Sequence, residues 1–123
     1  MESCHAIALR PLLLATLALA LLLGGCAAPT VYYWGQYEDL LYASYAAPGE
    51  VPPEQAVVLM EEDRQKARAQ NKPLPPGFYA QLGYLYYQSG KPDEARQAFE
   101  IEKTEFPESA VLMDRLLASM VAK

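Results

Sequence analysis

Cysteine and histidine are scarce in this chain, which has two cysteines and one histidine among its 123 residues. Cys4, His5 and Cys26 all lie near the amino terminus, and no cysteine or histidine follows them. The chain after Cys26 therefore cannot form a disulfide, a Cys or His nucleophile, a His general base or a zinc site of the usual Cys/His kind. A Ser-His-Asp triad is excluded there for the same reason. We expect no metal site and no cofactor.

A long hydrophobic run is also missing, because the apolar stretch from Leu12 to Leu23 is well short of the roughly 20 residues that span a bilayer. It contains only Leu, Ala and Thr, follows Arg10, and ends in two glycines. A charged start, a short apolar run and a small-residue cleavage site are the layout of a secretory signal peptide. A membrane-spanning helix is the alternative interpretation.

Leu23-Gly24-Gly25-Cys26 resembles the bacterial lipoprotein signal, in which the cysteine is lipidated and the chain is cut before it. We therefore predict a signal peptide over residues 1–25, cleavage between Gly25 and Cys26, and Cys26 as the lipidation site. A cysteine that lies there by chance in an ordinary secreted protein is the alternative. Ala27 follows Cys26 where an Asp would retain such a protein in the inner membrane, which implies an outer-membrane lipoprotein facing the periplasm. Residues 26–32 would form a tether that reaches roughly 20 Å.

Positive charge is in the minority, since the formal net charge is -5 at pH 7. Glu2 and Arg10 cancel, so removal of residues 1–25 leaves this value unchanged. A mildly acidic protein has no electrostatic footprint for nucleic acid or for anionic lipid headgroups. The densest acidic group, at positions 61–63, is interpreted as a solvated helix face, because consecutive helical residues point in different directions.

Prolines and glycines divide residues 33–123 into five predicted helices, and no stretch shows the two-residue alternation that strands need. The sequence thus predicts an all-α domain. Its helices are expected at about Tyr33–Ala46, Pro53–Gln70, Phe78–Ser89, Pro92–Phe106 and Glu108–Val121. The last would be a capping helix over about 108–121. Its inward residues are predicted to be Val111, Leu112, Leu116 and Met120, with Asp114 and Arg115 pointing outward.

Residues 76–109 resemble one tetratricopeptide repeat, an antiparallel helix pair of about 34 residues. The matching positions are Tyr79, Leu82, Gly83, Tyr86, Ala95, Phe99 and Pro107. Gly83 and Ala95 would be small where the two helix backbones cross. Glu102 occupies a position that is usually small, so the repeat pattern does not predict how the fifth helix packs. The resemblance implies that four residues of the third helix line a concave groove, namely Ala80, Tyr84, Tyr87 and Gln88.

Tyrosine on such a face suits partner binding because it buries a large area and carries a hydroxyl group. Ordinary packing beneath the first two helices is the alternative for these residues. A second aromatic group, Tyr32, Tyr33 and Trp34, lies beside the tether. Trp34 would either belong to the core or rest at the bilayer interface.

Several segments together resemble a family of small proteobacterial lipoproteins known chiefly as a domain of unknown function. They are the lipoprotein signal, YWGQYEDLLY at 33–42, PPG at 75–77, LGYLY at 82–86, FPES at 106–109 and MDRL at 113–116. Members of that family tend to be encoded beside a lipoprotein similar to the curli secretion pore and another small lipoprotein. The resemblance therefore implies a shared envelope assembly.

The preferred hypothesis is a non-enzymatic adaptor in the outer membrane that binds another envelope lipoprotein or a pore protein through its helical surface. It would contact the membrane through its lipid and would bind neither nucleic acid nor metal. Pilotin-like escort of a pore subunit is an alternative of the same class. A carboxylate-dependent enzyme acting on peptidoglycan or glycan is a third hypothesis, which requires two acidic residues facing each other across a cleft.

Overall fold

The computed structural model describes residues 30–121 and consists of five α-helices and one short 3₁₀ helix, with no strand in that range. The all-α prediction is therefore confirmed. The predicted signal peptide, the Gly25–Cys26 cleavage site and most of the tether lie outside the described residues. The helices are α1 (Tyr37–Ala46), α2 (Pro53–Ala69), α3 (Phe78–Gln88), α4 (Pro92–Glu105) and α5 (Ala110–Val121), with the 3₁₀ helix at Pro107–Ser109. None of these helices is both long and apolar enough to cross a membrane.

Proline and left-handed residues set the helix boundaries. Pro53 and Pro92 begin α2 and α4, where the missing N–H removes a donor that would have no partner within the helix. Gly90, with φ of 72°, and Asn71, with φ of 50°, follow the ends of α3 and α2. Both ends form Schellman motifs; at α2 the N–H of Lys72 donates to the carbonyl of Ala67 at 3.0 Å. Each helix therefore stops sharply and the chain turns back.

The hairpin of α3 and α4 has the close contact that the repeat resemblance implies. A Cβ on Gly83 would lie 2.6 Å from the ring of Phe99 and 3.1 Å from the carbonyl oxygen of Ala95. Tyr79, Leu82, Gly83, Ala95 and Phe99 are buried, Tyr86 is half-buried, and Pro107 is exposed at the start of the 3₁₀ helix. Only a residue without a side chain fits between these two backbones.

The main core lies where α2 crosses α3, around the fully buried Met60 and Phe78. From α2 it takes Ala56, Met60 and Ala67, which lie on one apolar stripe of the helix. α1 contributes Tyr37, its one buried residue, whose ring packs against Phe78 at 5.7 Å between centroids. Helices α1 and α2 are called the first hairpin below, and α3 and α4 the second. The first hairpin thus packs against the second chiefly through α2.

The prediction that α1 starts at Tyr33 is wrong, because the helix starts at Tyr37. The chain before it bends and turns instead: the N–H of Tyr33 donates to the carbonyl of Pro73 at 2.8 Å, and Gly35 has a φ of 49°. Trp34, before the helix, keeps 36% of its surface exposed, and Tyr45, in the last turn of the helix, keeps 80%. Trp34 instead stacks on Tyr37 from outside the core.

The predicted inward face of α5 is also partly wrong. Val111 and Leu112 are 67% and 56% exposed, whereas Met113 is completely buried against Ala95 and Phe99. The 3₁₀ turn delays the start of the helix until Ala110 and brings Met113 to the hairpin. Residues spaced at three, four and seven from it then face inward, namely Leu116, Leu117 and Met120. Asp114 and Arg115 are exposed, as predicted.

Candidate functional site

A groove lies between the carboxyl end of α1, the loop after it and the exposed side of α3, with a volume of about 580 Å³. It is called the tyrosine groove below. Its lining contains no carboxylate, amine or guanidinium group, although the chain as a whole is acidic. The lining residues are Ser44, Tyr45, Pro48, Gly49, Val51, Pro53, Gln81, Tyr84, Leu85, Gln88 and Leu116.

Two tyrosines present their rings along this groove. Tyr45, in the last turn of α1, is 80% exposed, and Tyr84, in the middle of α3, is 49% exposed. Gln88 lies one turn after Tyr84 and its side-chain amide donates to the Tyr84 hydroxyl at 3.1 Å. The arrangement offers aromatic surface, one oriented hydroxyl and one amide, which are groups suited to binding rather than to acid-base catalysis.

Of the four residues that the repeat resemblance assigns to a groove, two line the tyrosine groove and two do not. Tyr84 and Gln88 line the tyrosine groove. Ala80 and Tyr87 are half-buried instead, because they pack against the cluster of Ala95, Phe99 and Met113. The physical reason is α5, which covers that side of the α3–α4 hairpin. Tyr45, from the last turn of α1, lines the groove as well.

Glu102 holds the start of α3 from the neighbouring helix. Its two carboxylate oxygens accept the backbone N–H groups of Gly77 at 2.6 Å and of Tyr79 at 3.2 Å, and the side chain is only 2% exposed. Gly77 is the N-cap and has no side chain to cap the helix; a Cβ there would lie 2.7 Å from the Tyr37 hydroxyl. Glu102 therefore supplies the capping oxygens. Burial raises the pKa of its carboxyl group, although these hydrogen bonds act in the opposite direction.

Asp63, on α2, holds the backbone at the start of α1 in a similar way. Its side chain is 1% exposed and accepts the N–H of Gln36, the N-cap of α1, at 2.6 Å. A Cβ on Gly35 would lie 2.3 Å from the same carboxylate oxygen. The interpretation of residues 61–63 as a solvated face is thus wrong for Asp63, because the start of α1 folds over it. An acidic residue within an apolar stripe was the sequence signal for a buried polar contact.

The other two members of that acidic group point elsewhere. Glu62 is exposed and pairs with Lys66 at 3.6 Å. Glu61 is half-buried: one oxygen accepts the Tyr86 hydroxyl at 2.6 Å and the other contacts Arg64 at 2.6 Å. Burial, followed by this hydrogen bond, raises the pKa of Tyr86 to about 12. The Glu61 carboxylate is therefore committed to a network that joins α2 to α3.

Among residues 30–121, no three His, Cys, Asp or Glu side chains come close enough together to hold a metal ion. The described acidic residues that are most buried, Asp63 and Glu102, bind backbone N–H groups of their own fold. Sequence reasoning noted both positions but did not identify either as a helix cap, since the capped backbone lies 27 and 25 residues away.

Residues 31–116 match a domain of unknown function, DUF4810. The chain belongs to this family. The match confirms the resemblance to a domain of unknown function and covers all five helices up to the middle of α5. Comparisons with curated proteins and with solved structures found no match.

Proposed function

We propose that this protein is a lipid-anchored adaptor of the outer membrane, which faces the periplasm and binds another envelope protein through the tyrosine groove. The observation that carries the proposal is an uncharged groove with two exposed tyrosines on an otherwise acidic helical domain. The lipoprotein signal ending at Cys26 supports the anchor and the compartment. The occupant proposed here is a segment of another envelope lipoprotein or of a pore protein.

The groove's composition supports a protein partner. Aromatic residues are enriched and charged residues depleted at the centres of protein interfaces. At about 580 Å³ the groove can take several side chains of a partner segment, and it is of the size that specific binding sites have. The Tyr84 hydroxyl and Gln88 amide belong to its lining, where they can hydrogen-bond the backbone of such a segment. Binding would thus combine apolar burial with a few directed polar contacts.

The support beneath the groove also favours a preformed site. Leu85 forms part of its floor and is buried in the main core, and the start of α3 is fixed by Glu102. Gly49, with a φ of 90°, turns the loop that forms one wall. A site built on helices that are already ordered loses little entropy when a partner binds.

A photo-crosslinking amino acid introduced at Tyr84 or at Tyr45 tests the groove in living cells. Both positions should capture the same envelope protein, which mass spectrometry then identifies. Val58 is the control because it is 56% exposed on α2 and does not line the groove. Capture of no envelope protein at the groove positions, or equal capture at Val58, would reject the proposal.

Tyr84→Ala measures the contribution of the groove to affinity for the captured partner. Loss of a central interface tyrosine should weaken binding by roughly thirtyfold, corresponding to about 2 kcal/mol. Tyr42→Ala is the matched control, since Tyr42 is 73% exposed on α1 and lies outside the groove. Equal affinities of the two variants would contradict the assignment.

Cys26→Ser tests the anchor independently of the groove. We expect the variant to lose incorporation of radiolabelled palmitate and to disappear from the outer-membrane fraction. Persistence of lipid label and of outer-membrane localisation would show that Cys26 is not the anchor. Deletion of the gene distinguishes an adaptor from a pilotin, because only loss of a pilotin should prevent the pore subunit from reaching the outer membrane.

A further inference from the structure

The described chain begins beside the connector between α2 and α3. The N–H of Tyr33 donates to the carbonyl of Pro73 at 2.8 Å, and the N–H of Gln36 donates to Asp63 at 2.6 Å. The segment that leads back to Cys26 therefore leaves the domain next to Pro73 and the last turns of α2. If Cys26 carries the proposed lipid, this end of the domain is the one closest to the membrane.

Three cations lie at that same end. Arg64, Arg68 and Lys72 line a cleft of about 310 Å³, in which Glu105 is the one acidic lining residue. This is called the basic cleft below. The Schellman motif at the end of α2 turns Lys72 back toward the last turn of the helix, which brings it to the cleft that Arg68 also lines. The local charge is positive although the whole chain carries a net charge of -5.

Two of these cations have no carboxylate partner. Among the described residues, no carboxylate oxygen lies within 4.0 Å of the Arg68 or Lys72 side-chain nitrogens, whereas Lys66 contacts both Glu62 and Asp63. Arg64 is held by Glu61, but its Nε is buried without a hydrogen-bond acceptor. Arg68 and Lys72 therefore leave the cleft with positive charge and N–H donors available for an anion.

The segment next to the basic cleft is uncharged and aromatic. Residues 27–37 contain no charged side chain. Val31 is 72% and Trp34 is 36% exposed, and the ring of Tyr32 meets the Trp34 ring edge-on at 6.3 Å between centroids. Tryptophan and tyrosine beside lysine and arginine are the residues that proteins place at the headgroup level of a membrane.

We propose that the tether-side surface, formed by Val31, Tyr32, Trp34, Arg68 and Lys72, rests on the membrane and that the basic cleft takes the phosphate of an anionic phospholipid headgroup. This inference rests on the proposed anchor at Cys26. Charge complementarity supports it, and so does the point at which the chain leaves the domain. The proposed contact is local to the basic cleft, whereas the net charge of -5 predicts no footprint for anionic headgroups.

The proposed contact also orients the tyrosine groove. Pro53, at the first turn of α2, lines the groove, and Arg68, in its last turn, lines the basic cleft. The helix has 17 residues and is therefore about 25 Å long. The tyrosine groove would then lie at the end of α2 that is away from the tether-side surface and be open to partners in the periplasm.

Trp34 is the only tryptophan in the chain and lies on the proposed contact, so its fluorescence reports the contact directly. The lipidated full-length protein would be reconstituted into vesicles of phosphatidylcholine alone or of phosphatidylcholine mixed with phosphatidylglycerol. Brominated lipids should quench Trp34 more strongly in the anionic vesicles. Added salt should remove the difference, because it screens charges at the surface.

Arg68→Ala/Lys72→Ala is the decisive variant. Each cation close to an anionic membrane favours the contact roughly fivefold, so the double variant should shift the equilibrium away from it by roughly thirtyfold and lower the quenching accordingly. Arg96→Ala/Arg115→Ala changes the net charge equally at exposed positions outside the basic cleft and should leave quenching unchanged. Circular dichroism checks that both variants keep their helices.

Vesicle flotation separates failure of the anchor from failure of this inference. A protein that carries no lipid and does not float overturns the proposed anchor. A protein that floats, but whose Trp34 is quenched equally in both kinds of vesicle, overturns the headgroup contact and leaves the anchor standing. Equal loss of quenching in both double variants also overturns it, since the effect would then come from net charge alone.

Discussion

The two helical hairpins, α1–α2 and α3–α4, each contain the same kind of polar contact but differ in how their helices pack. In each, a buried carboxylate on the second helix holds a backbone N–H at the start of the first: Asp63 holds Gln36, and Glu102 holds Gly77. Only the second hairpin has the close contact of Gly83 with Phe99. The comparison indicates that the α1–α2 pair has the same kind of polar anchor as the α3–α4 pair. It lacks the pattern of apolar residues that the repeat has.

Phe99→Ala should have the largest effect, because it removes the ring on which the second hairpin is built. Phe99 is 2% exposed and touches Gly83 and Met113. Truncation of a buried phenylalanine should lower the free energy of unfolding by about 3–5 kcal/mol. Urea denaturation measures it, with Tyr42→Ala, on the exposed side of α1, as the control. A loss below about 1 kcal/mol would show that the hairpin does not depend on this contact.

Asp63→Ala tests the polar anchor of the first hairpin. The N–H of Gln36 would lose a charged acceptor in a buried place, which should cost about 2–3 kcal/mol. Asp63→Asn keeps an oxygen at this site and should cost less. Hydrogen exchange should show faster exchange at the start of α1 and unchanged protection in α4. Equal effects in both helices would mean that Asp63 supports the fold as a whole rather than α1.

Gly35→Ala and Gly90→Ala form a matched pair that isolates the close approach of Asp63. Both glycines have positive φ, of 49° and 72°, so both variants strain the backbone. Only at Gly35 does the new methyl group meet another atom, since nothing lies within 4 Å of a Cβ on Gly90. Gly35→Ala should therefore cost about 1–2 kcal/mol more in the free energy of unfolding. Equal costs would show that Asp63 can move aside.

Glu102→Gln should have the smallest effect on the free energy of unfolding, and this effect should depend on pH. Burial raises the pKa of Glu102 in the folded protein, so the folded state binds this proton more tightly than the unfolded chain. The carboxyl group therefore makes its whole contribution to stability at pH values below its ordinary pKa of about 4.5. This contribution is lost as the pH rises through the pKa that the group has in the folded protein. The free energy of unfolding of the wild type, relative to Glu102→Gln, should fall as pH rises from about 4 to 7.

The opposite trend, with the wild type gaining on the variant as pH rises, would mean that the hydrogen bonds from Gly77 and Tyr79 outweigh burial.

The sequence is sufficient to predict that the five helices form. It is not sufficient where backbone groups far away in the sequence determine the environment of a residue. Pro53, Pro92 and Gly90 act within one turn, and the helix boundaries they predict are found. The predicted start of α1 is too early because Trp34 and Tyr37 fit a helical spacing, whereas the hydrogen bond from Tyr33 to Pro73 and the left-handed Gly35 hold these residues out of the helix. Such a contact, 40 residues apart, leaves no local signal.

The candidate groove was predicted in part for the same reason. Tyr84 and Gln88 are one turn apart, so their common face follows from helical periodicity, and both line the groove. Periodicity could not tell that α5 would half-bury Ala80 and Tyr87, because Val111, Leu112 and Met113 are all apolar and allow more than one inward stripe. Tyr45 lines the groove because it lies exposed in the last turn of α1.

By itself the sequence determined the all-α class, the helix boundaries that proline and glycine set, and the close pairing at Gly83, since these depend on local geometry and on side-chain size. Tertiary structure decided which charges are buried and which surface is left open. Asp63 and Glu102 are acidic in any context, but they become helix caps only when a backbone N–H from another helix lies against them. Likewise, only folding brings Arg68 and Lys72 to the point where the chain leaves the domain, because charge position in space is not contained in net charge.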